Sequence, residues 1–167
     1  MSNPVTITAA EGLPFIDIER EFDAPVEAVF NAHRDPALYA QWVGPKDHVT
    51  EFPQFDFSTG GGYRFVSTDQ QGQSYGFHGV FHVVRENEFA MQTFKFEGWP
   101  DVVSLESLTF TALDGGRTRL TIHSVYPSVE ARDGMVQSGM EHGVTEGYQK
   151  LDAVLGAGVG AQAEAEV

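Results

Sequence analysis

GYRFVSTDQQGQSYGFHGVFHVVRENEFAMQTFKF, residues 62–96, is the stretch whose periodicity decides the fold. Large apolar side chains recur two apart, as Tyr63 and Phe65, then Phe77, Phe81 and Val83, then the run from Phe89 to Phe96. Period two is the mark of strands with one buried face, because successive side chains point to opposite sides. Asp69-Gln70-Gln71-Gly72 and Glu86-Asn87 punctuate the runs. Turns that short join antiparallel neighbours.

Outward from this stretch the alternation continues. Phe52, Phe55 and Phe57 precede it, across Ser58-Thr59-Gly60-Gly61-Gly62. Leu105 to Ala112 and then Leu120, Ile122 and Tyr126 follow it, separated by Asp114-Gly115-Gly116. The pattern predicts a meander of about six strands. Nearer the N-terminus, Ile16, Ile18 and Phe22 alternate with Asp17, Glu19 and Glu21, a further half-buried strand. Asp23-Ala24-Pro25 signals a helix start with Asp23 or Ala24 at the cap, and Asp35-Pro36 signals a second short helix that Gly44-Pro45 stops. After Pro127-Ser128, the residues Val136, Met140, Val144, Tyr148, Leu151 and Leu155 form a stripe that predicts one long helix from Val129 to Leu155. A sheet this large needs a cover, and only that helix is long enough. The expected architecture is α+β, a single domain over residues 15–155 with flexible segments at 1–14 and 156–167.

Composition narrows the function classes. With no cysteine, disulfides, thiolate metal sites and thiol nucleophiles are excluded, which fits a reducing, cytoplasmic setting. No basic-then-apolar leader opens the chain, and no apolar run nears the roughly 18 to 20 residues of a membrane span. The net charge of -14 repels phosphate backbones and anionic lipid, so neither nucleic acid nor membrane insertion is expected. Gly60-Gly61-Gly62 lacks the helix and lysine of a phosphate cradle, and no Gly-x-Ser-x-Gly elbow occurs. His78 and His82 would lie about 13 Å apart on a strand, too far to share an ion, so no metal and no cofactor is expected.

Several spaced motifs resemble one known superfamily. They are Arg20-Glu-Phe-Asp-Ala-Pro-Val-Glu-Ala-Val-Phe30, Asp35-Pro36, Trp42-Val-Gly-Pro45, Gly61-Gly-Tyr-Arg-Phe65, Gly79-Val-Phe81, the region from Phe94 to Trp99, Gly115-Gly-Arg-Thr-Arg-Leu120 and Asp133-Gly134-Met135. Together they resemble the START-like (SRPBCC, polyketide cyclase) superfamily, nearest to the branch named for the activator of the heat-shock-protein-ninety ATPase. The resemblance implies a helix-grip fold with an internal cavity. Such folds serve hydrophobic ligand binding, aromatic cyclisation and chaperone contact alike.

Candidate site residues follow from strand faces. If Phe110 points inward, so do Leu108 and Glu106, and an inward carboxylate in apolar surroundings becomes a proton donor, a base or a clamp for a ligand's polar end. The alternatives for Glu106 are an edge position or a salt bridge with an arginine such as Arg119. Gln92 shares a face with Phe94 and Phe96, Ser124 with Ile122 and Tyr126, and Tyr63 with Phe65. Polar groups among aromatics are what orient a ligand in a mostly apolar pocket, although they can equally satisfy one another. Trp42, Trp99, Phe94 and Tyr126 are candidates for walls and rim, with Trp99 beside Pro100 placed to gate an opening. Phe81 on its strand and Met140 on the helical stripe complete the set. Gly139, Gly143 and Gly147 lie four apart on the expected helix. Each costs about 1 kcal/mol against alanine, which calls for close packing, cavity room or a homodimer contact. The leading expectation is binding of a small hydrophobic or aromatic molecule. A cyclase- or hydrolase-type enzyme using Glu106, with Tyr63 or Tyr126 assisting, is the second, and a chaperone-contacting module the third.

Overall fold

In the computed structural model, which describes the backbone of residues 3–165 and the side chains of residues 3–158, eight antiparallel strands form one sheet. In chain order the elements are β1 (Val5–Thr8), β2 (Phe15–Phe22), α1 (Val26–Arg34), α2 (Pro36–Trp42), β3 (Val49–Phe55), β4 (Gly62–Thr68), β5 (Ser74–Arg85), β6 (Phe89–Phe96), β7 (Ser104–Leu113), β8 (Arg117–Val125), α3 (Val129–Gln137) and α4 (Met140–Ala165). The order across the sheet is β1-β2-β8-β7-β6-β5-β4-β3. The meander from β3 to β8 is the one the alternation predicts. β2 then joins it at β8, where Ile16 sits opposite Ser124.

The sheet's inner face and the helices share one core. Ile16, Phe22, Leu120, Phe110 and Leu108 from the sheet meet Val29 and Phe30 of α1, Trp42 of α2, and Tyr148, Leu151 and Leu155 of α4. Side chains as completely buried as Phe22, Phe30 and Leu151 each contribute on the order of 1.5–3 kcal/mol of transfer free energy. A second cluster under the far half of the sheet is almost wholly aromatic, with Tyr63, Phe65 and Phe81 flanked by Phe52, Phe55, Phe57, Phe77 and Phe94.

Several details depart from the sequence-based expectation. The N-terminal segment contains a strand: β1 pairs with β2 from Val5 opposite Arg20 to Thr8 opposite Asp17. The connection that follows β1 is held by the buried Arg132, whose Nη1 donates to the carbonyls of both Ala10 and Phe15 at 2.9 Å. The terminal helix is two helices, because Gly139 adopts φ +86° just after the Ser138 cap of α3. Left-handed geometry at that position is the common way to end a helix, and glycine adopts it without strain. α4 also continues through Ala165, into the segment expected to be a loose tail. A bulge between Phe81 and Val83 shifts the register of β5, so Val84 rather than Val83 packs on the core. Finally, Pro25 rather than Asp23 or Ala24 caps α1. Asp23 is engaged instead by Arg117 and Asn3.

The remaining glycines of the triplet line the contact between α4 and the α2 end. A Cβ on Gly147 would stand 3.1 Å from the Trp42 carbonyl oxygen, and one on Gly143 would stand 3.7 Å from Pro45. Close approach therefore accounts for Gly147, whereas a side chain at Gly143 would make only ordinary contact.

Candidate functional site

β7 has no bulge, so its alternation survives and Glu106 lies on the inner face with Leu108 and Phe110. Strand register then does the rest. Gln92 of β6 is directly opposite Glu106, Glu106 is directly opposite Ser124 of β8, and Phe81 of β5 is opposite Gln92. Four adjacent strands thus present one row across the sheet, Phe81, Gln92, Glu106 and Ser124, with neighbours about 4.7–4.9 Å apart along the hydrogen-bonding direction.

The polar members of the row are mutually bonded. The Gln92 amide donates to Glu106 Oε1 at 3.0 Å, and the Ser124 hydroxyl donates to Glu106 Oε2 at 3.2 Å. Gln92 Nε2 also lies 3.5 Å from the Tyr63 hydroxyl, which itself donates to the Thr93 carbonyl at 2.7 Å. Gly79 makes that last bond sterically feasible, since a Cβ there would overlap the Thr93 oxygen and stand 2.7 Å from the Tyr63 hydroxyl.

Arg119 is not the partner of Glu106. It reaches Glu21 and Glu19 on the other side of the sheet, and among the described residues Glu106 has no cationic partner. Burial pushes the Glu106 carboxyl above its ordinary range, and the donors Gln92 and Ser124 pull it only partly back. Its charge is felt widely. Tyr39, Tyr63, Tyr126 and Tyr148 are all raised above the usual phenol range by burial first, with the Glu106 charge a further cause in each. Tyr39, on α2, and Tyr148, on α4, make no side-chain hydrogen bond among the described residues. The imidazole of His33, 2% exposed, lies edge-on to Tyr39, Trp42 and Phe110, bonded through Nδ1 to the Val29 carbonyl at 2.8 Å. Burial holds its pKa down at about 4. These three residues read in sequence as parts of apolar helical stripes. Only the tertiary arrangement brings the two phenols within reach of the Glu106 charge and the imidazole into the core.

The other residues singled out from sequence fall into two groups. Tyr63, Phe65, Phe81 and Phe94 build the aromatic cluster beside Gln92, with Phe65 stacked on Phe77 at 4.8 Å. Trp42, Tyr126, Trp99 and Met140 belong to the main core. The Trp42 indole donates to the Ala32 carbonyl and stacks on Tyr39 at 4.9 Å. Trp99, half-buried, lies over α3 at Gly134, where a Cβ would approach its ring to 2.8 Å.

Among the described residues, no group of three or more histidine, aspartate or glutamate side chains is placed to hold a metal ion. Among the same residues, no helix is long and apolar enough to cross a membrane. A cleft of about 180 Å³ opens between β1 and α4, with Arg20 and Tyr148 in its lining. The guanidinium there is already taken by Asp152, at 2.5 and 2.6 Å.

A curved antiparallel sheet closed by two short helices and a long C-terminal helix is the helix-grip α+β class. The family model described as activator of Hsp90 ATPase homolog 1-like protein matches residues 23–156, and the chain belongs to that family. Among solved structures it is similar to protein Ms6760 from Mycobacterium smegmatis, at 28% identity and TM-score 0.82, covering 91% of this chain and 97% of that one. A Rhodobacter sphaeroides protein aligns at 25% identity and TM-score 0.83, covering 92% and 99%. An Arthrobacter aurescens protein aligns at 26% identity and TM-score 0.83, covering 91% of each chain. No curated protein matches the chain at a significant level.

Proposed function

We propose that the protein binds a small hydrophobic or aromatic molecule between the sheet and α4, with Glu106 engaging its polar end. One observation carries this. Glu106 is desolvated enough for its pKa to rise, yet the residue keeps some accessible surface. A residue desolvated within the fold that still keeps accessible surface fits the lining of an internal cavity. Tyr39 has the same two properties, and Phe52, Phe55, Phe57, Phe77 and Phe94 likewise keep accessible surface inside the aromatic cluster. Aromatic walls around a few convergent polar groups are the usual make-up of a ligand site.

The raised pKa of Glu106 also favours a second role, proton transfer to or from a bound substrate, as in a cyclase- or hydrolase-type reaction. Binding comes first in either case. Native mass spectrometry of the purified protein, compared with its denatured mass, tests it, alongside titration with the fluorescent dye 1-anilinonaphthalene-8-sulfonate and displacement by hydrophobic probes. A retained small molecule, or saturable dye binding weakened by Phe94→Asp, supports the proposal. A clean mass together with no saturable dye binding refutes it.

A further inference from the structure

We infer that the molecule engaged by Glu106 is a cation, an aromatic or hydrophobic amine whose ammonium group completes the carboxylate. This rests on the binding role proposed above and specifies its chemistry. Tyr63 sets the direction of the whole network, because its single hydroxyl proton goes to the Thr93 carbonyl at 2.7 Å. Its oxygen can therefore only accept from Gln92, 3.5 Å away, and this fixes the Gln92 amide with its nitrogen toward Glu106. Glu106 Oε1 thus faces a donor. Oε2 faces the Ser124 hydroxyl, which has no other acceptor among the described residues. With the Ser124 hydroxyl turned toward Oε2, both oxygens have a proton to accept, the arrangement an ionised carboxylate needs.

Among the described residues, that charge has no counter-charge in the interior. Facing it are the phenols of Tyr39, Tyr63, Tyr126 and Tyr148 and, beyond Tyr39, the imidazole of His33, all neutral at physiological pH. The nearby cations are already committed, Arg20 to Asp152 and Arg119 to Glu21. A buried ion without a partner is costly, and a carboxylate offers about four acceptor positions, of which the described residues fill two. An ammonium donates to the remaining two and removes the charge imbalance. The aromatic rings of Phe94 and Tyr39, which keep accessible surface, suit its substituents, and ring faces attract cations. The net charge of -14 draws cations toward the molecule.

Two probes with the same body separate the possibilities: 2-phenylethylamine, charged at neutral pH, and 2-phenylethanol, which is not. Each is titrated by calorimetry into the purified protein and into Glu106→Gln. The expected result is at least about a tenfold preference of the wild-type protein for the amine, the size of one modest desolvated charge pair, and loss of that preference in Glu106→Gln with alcohol affinity retained. Should the variant fail to fold, the wild-type comparison still decides. Equal or tighter binding of the alcohol overturns the cation inference and leaves the binding role standing. An amine preference that survives in a folded Glu106→Gln overturns it too, because the charge recognised is then elsewhere. If neither probe binds up to millimolar concentration, the cation inference falls, and the mass and dye measurements decide the binding role separately.

Discussion

Lowering the pH from 7 to 5 destabilises this protein through His33, and the amount can be worked from its surroundings. The imidazole is buried against Tyr39, Trp42 and Phe110, and its pKa falls from 6.5 to about 4 in the native state. In the unfolded chain it takes up a proton below about pH 6.5, whereas the folded protein resists until about pH 4. Protons therefore favour the unfolded state across that window. The stabilising contribution is whole above pH 6.5 and is lost as pH falls through 4. A tenfold difference in proton affinity between the two states corresponds to about 1.4 kcal/mol, so the full window is worth about 3 kcal/mol and the step from pH 7 to pH 5 about 2 kcal/mol. The assay is urea unfolding of wild type and His33→Phe at pH 7, 6 and 5. Phenylalanine keeps the ring but gives up the bond to Val29, so the variant starts about 1 kcal/mol weaker at pH 7. The informative quantity is the difference in slope with pH, in which every other titrating group cancels. Stability of His33→Phe should fall by about 2 kcal/mol less than that of wild type between pH 7 and 5. Parallel slopes would refute the assignment.

Glu106 has the opposite sign. Its folded pKa is raised, so its favourable contribution is present below the unfolded value and is lost as pH rises through the folded one. Glu106→Gln should therefore gain stability relative to wild type as pH climbs from 4 to 8, as read from thermal midpoints. Gly79→Ala forces the Thr93 carbonyl and the Tyr63 hydroxyl apart, so a loss of about 1–3 kcal/mol and an altered tyrosine absorbance should accompany it. On α4, Gly156→Ala meets nothing within 4 Å and should stabilise by up to about 1 kcal/mol. Gly147→Ala instead presses on the Trp42 carbonyl and should lose that gain or more, and a reversed order in guanidinium midpoints would show that α4 does not seat tightly against α2. Asp152→Ala leaves the buried Arg20 guanidinium uncompensated and should cost about 3–5 kcal/mol in chemical unfolding.

The parts of this architecture legible in sequence are those where local pattern and tertiary role coincide. The meander is visible because each of its strands buries one face, and Glu106 can be placed inward because the register of β7 runs without a shift through Glu106, Leu108 and Phe110. Where the chain adds a residue, the same logic fails, and the bulge after Phe81 puts Val84 on the core in place of Val83. β1 is hidden for a different reason. Four residues carry little periodicity, and what holds the following connection is an arginine 117 residues beyond Phe15. Gly139 looks like one of three equivalent helical glycines, and only its positive φ distinguishes a helix end from a packing face. Of the site, the row Gln92, Glu106 and Ser124 follows from face-sharing alone, but its register does not. Tyr39, Tyr148 and His33 escape a reading of the sequence because helical spacing marks which face a residue occupies and says nothing of where its polar atom goes.

The pairing of β2 with β8 bears on how the molecule is made. On the ribosome, β2 and the two short helices emerge early, behind only β1, with Ile16, Phe22, Val29 and Phe30 ready for burial. Their partner strand does not exist until Ser124 and its neighbours have been synthesised, roughly 5–20 s later at ordinary elongation rates. α4, whose Tyr148 and Leu151 complete the same core, comes later still. This early-made segment is thus among the last to have its core completed, and for those seconds a nascent chain exposes a greasy strand that a chaperone, or another nascent chain, is free to capture.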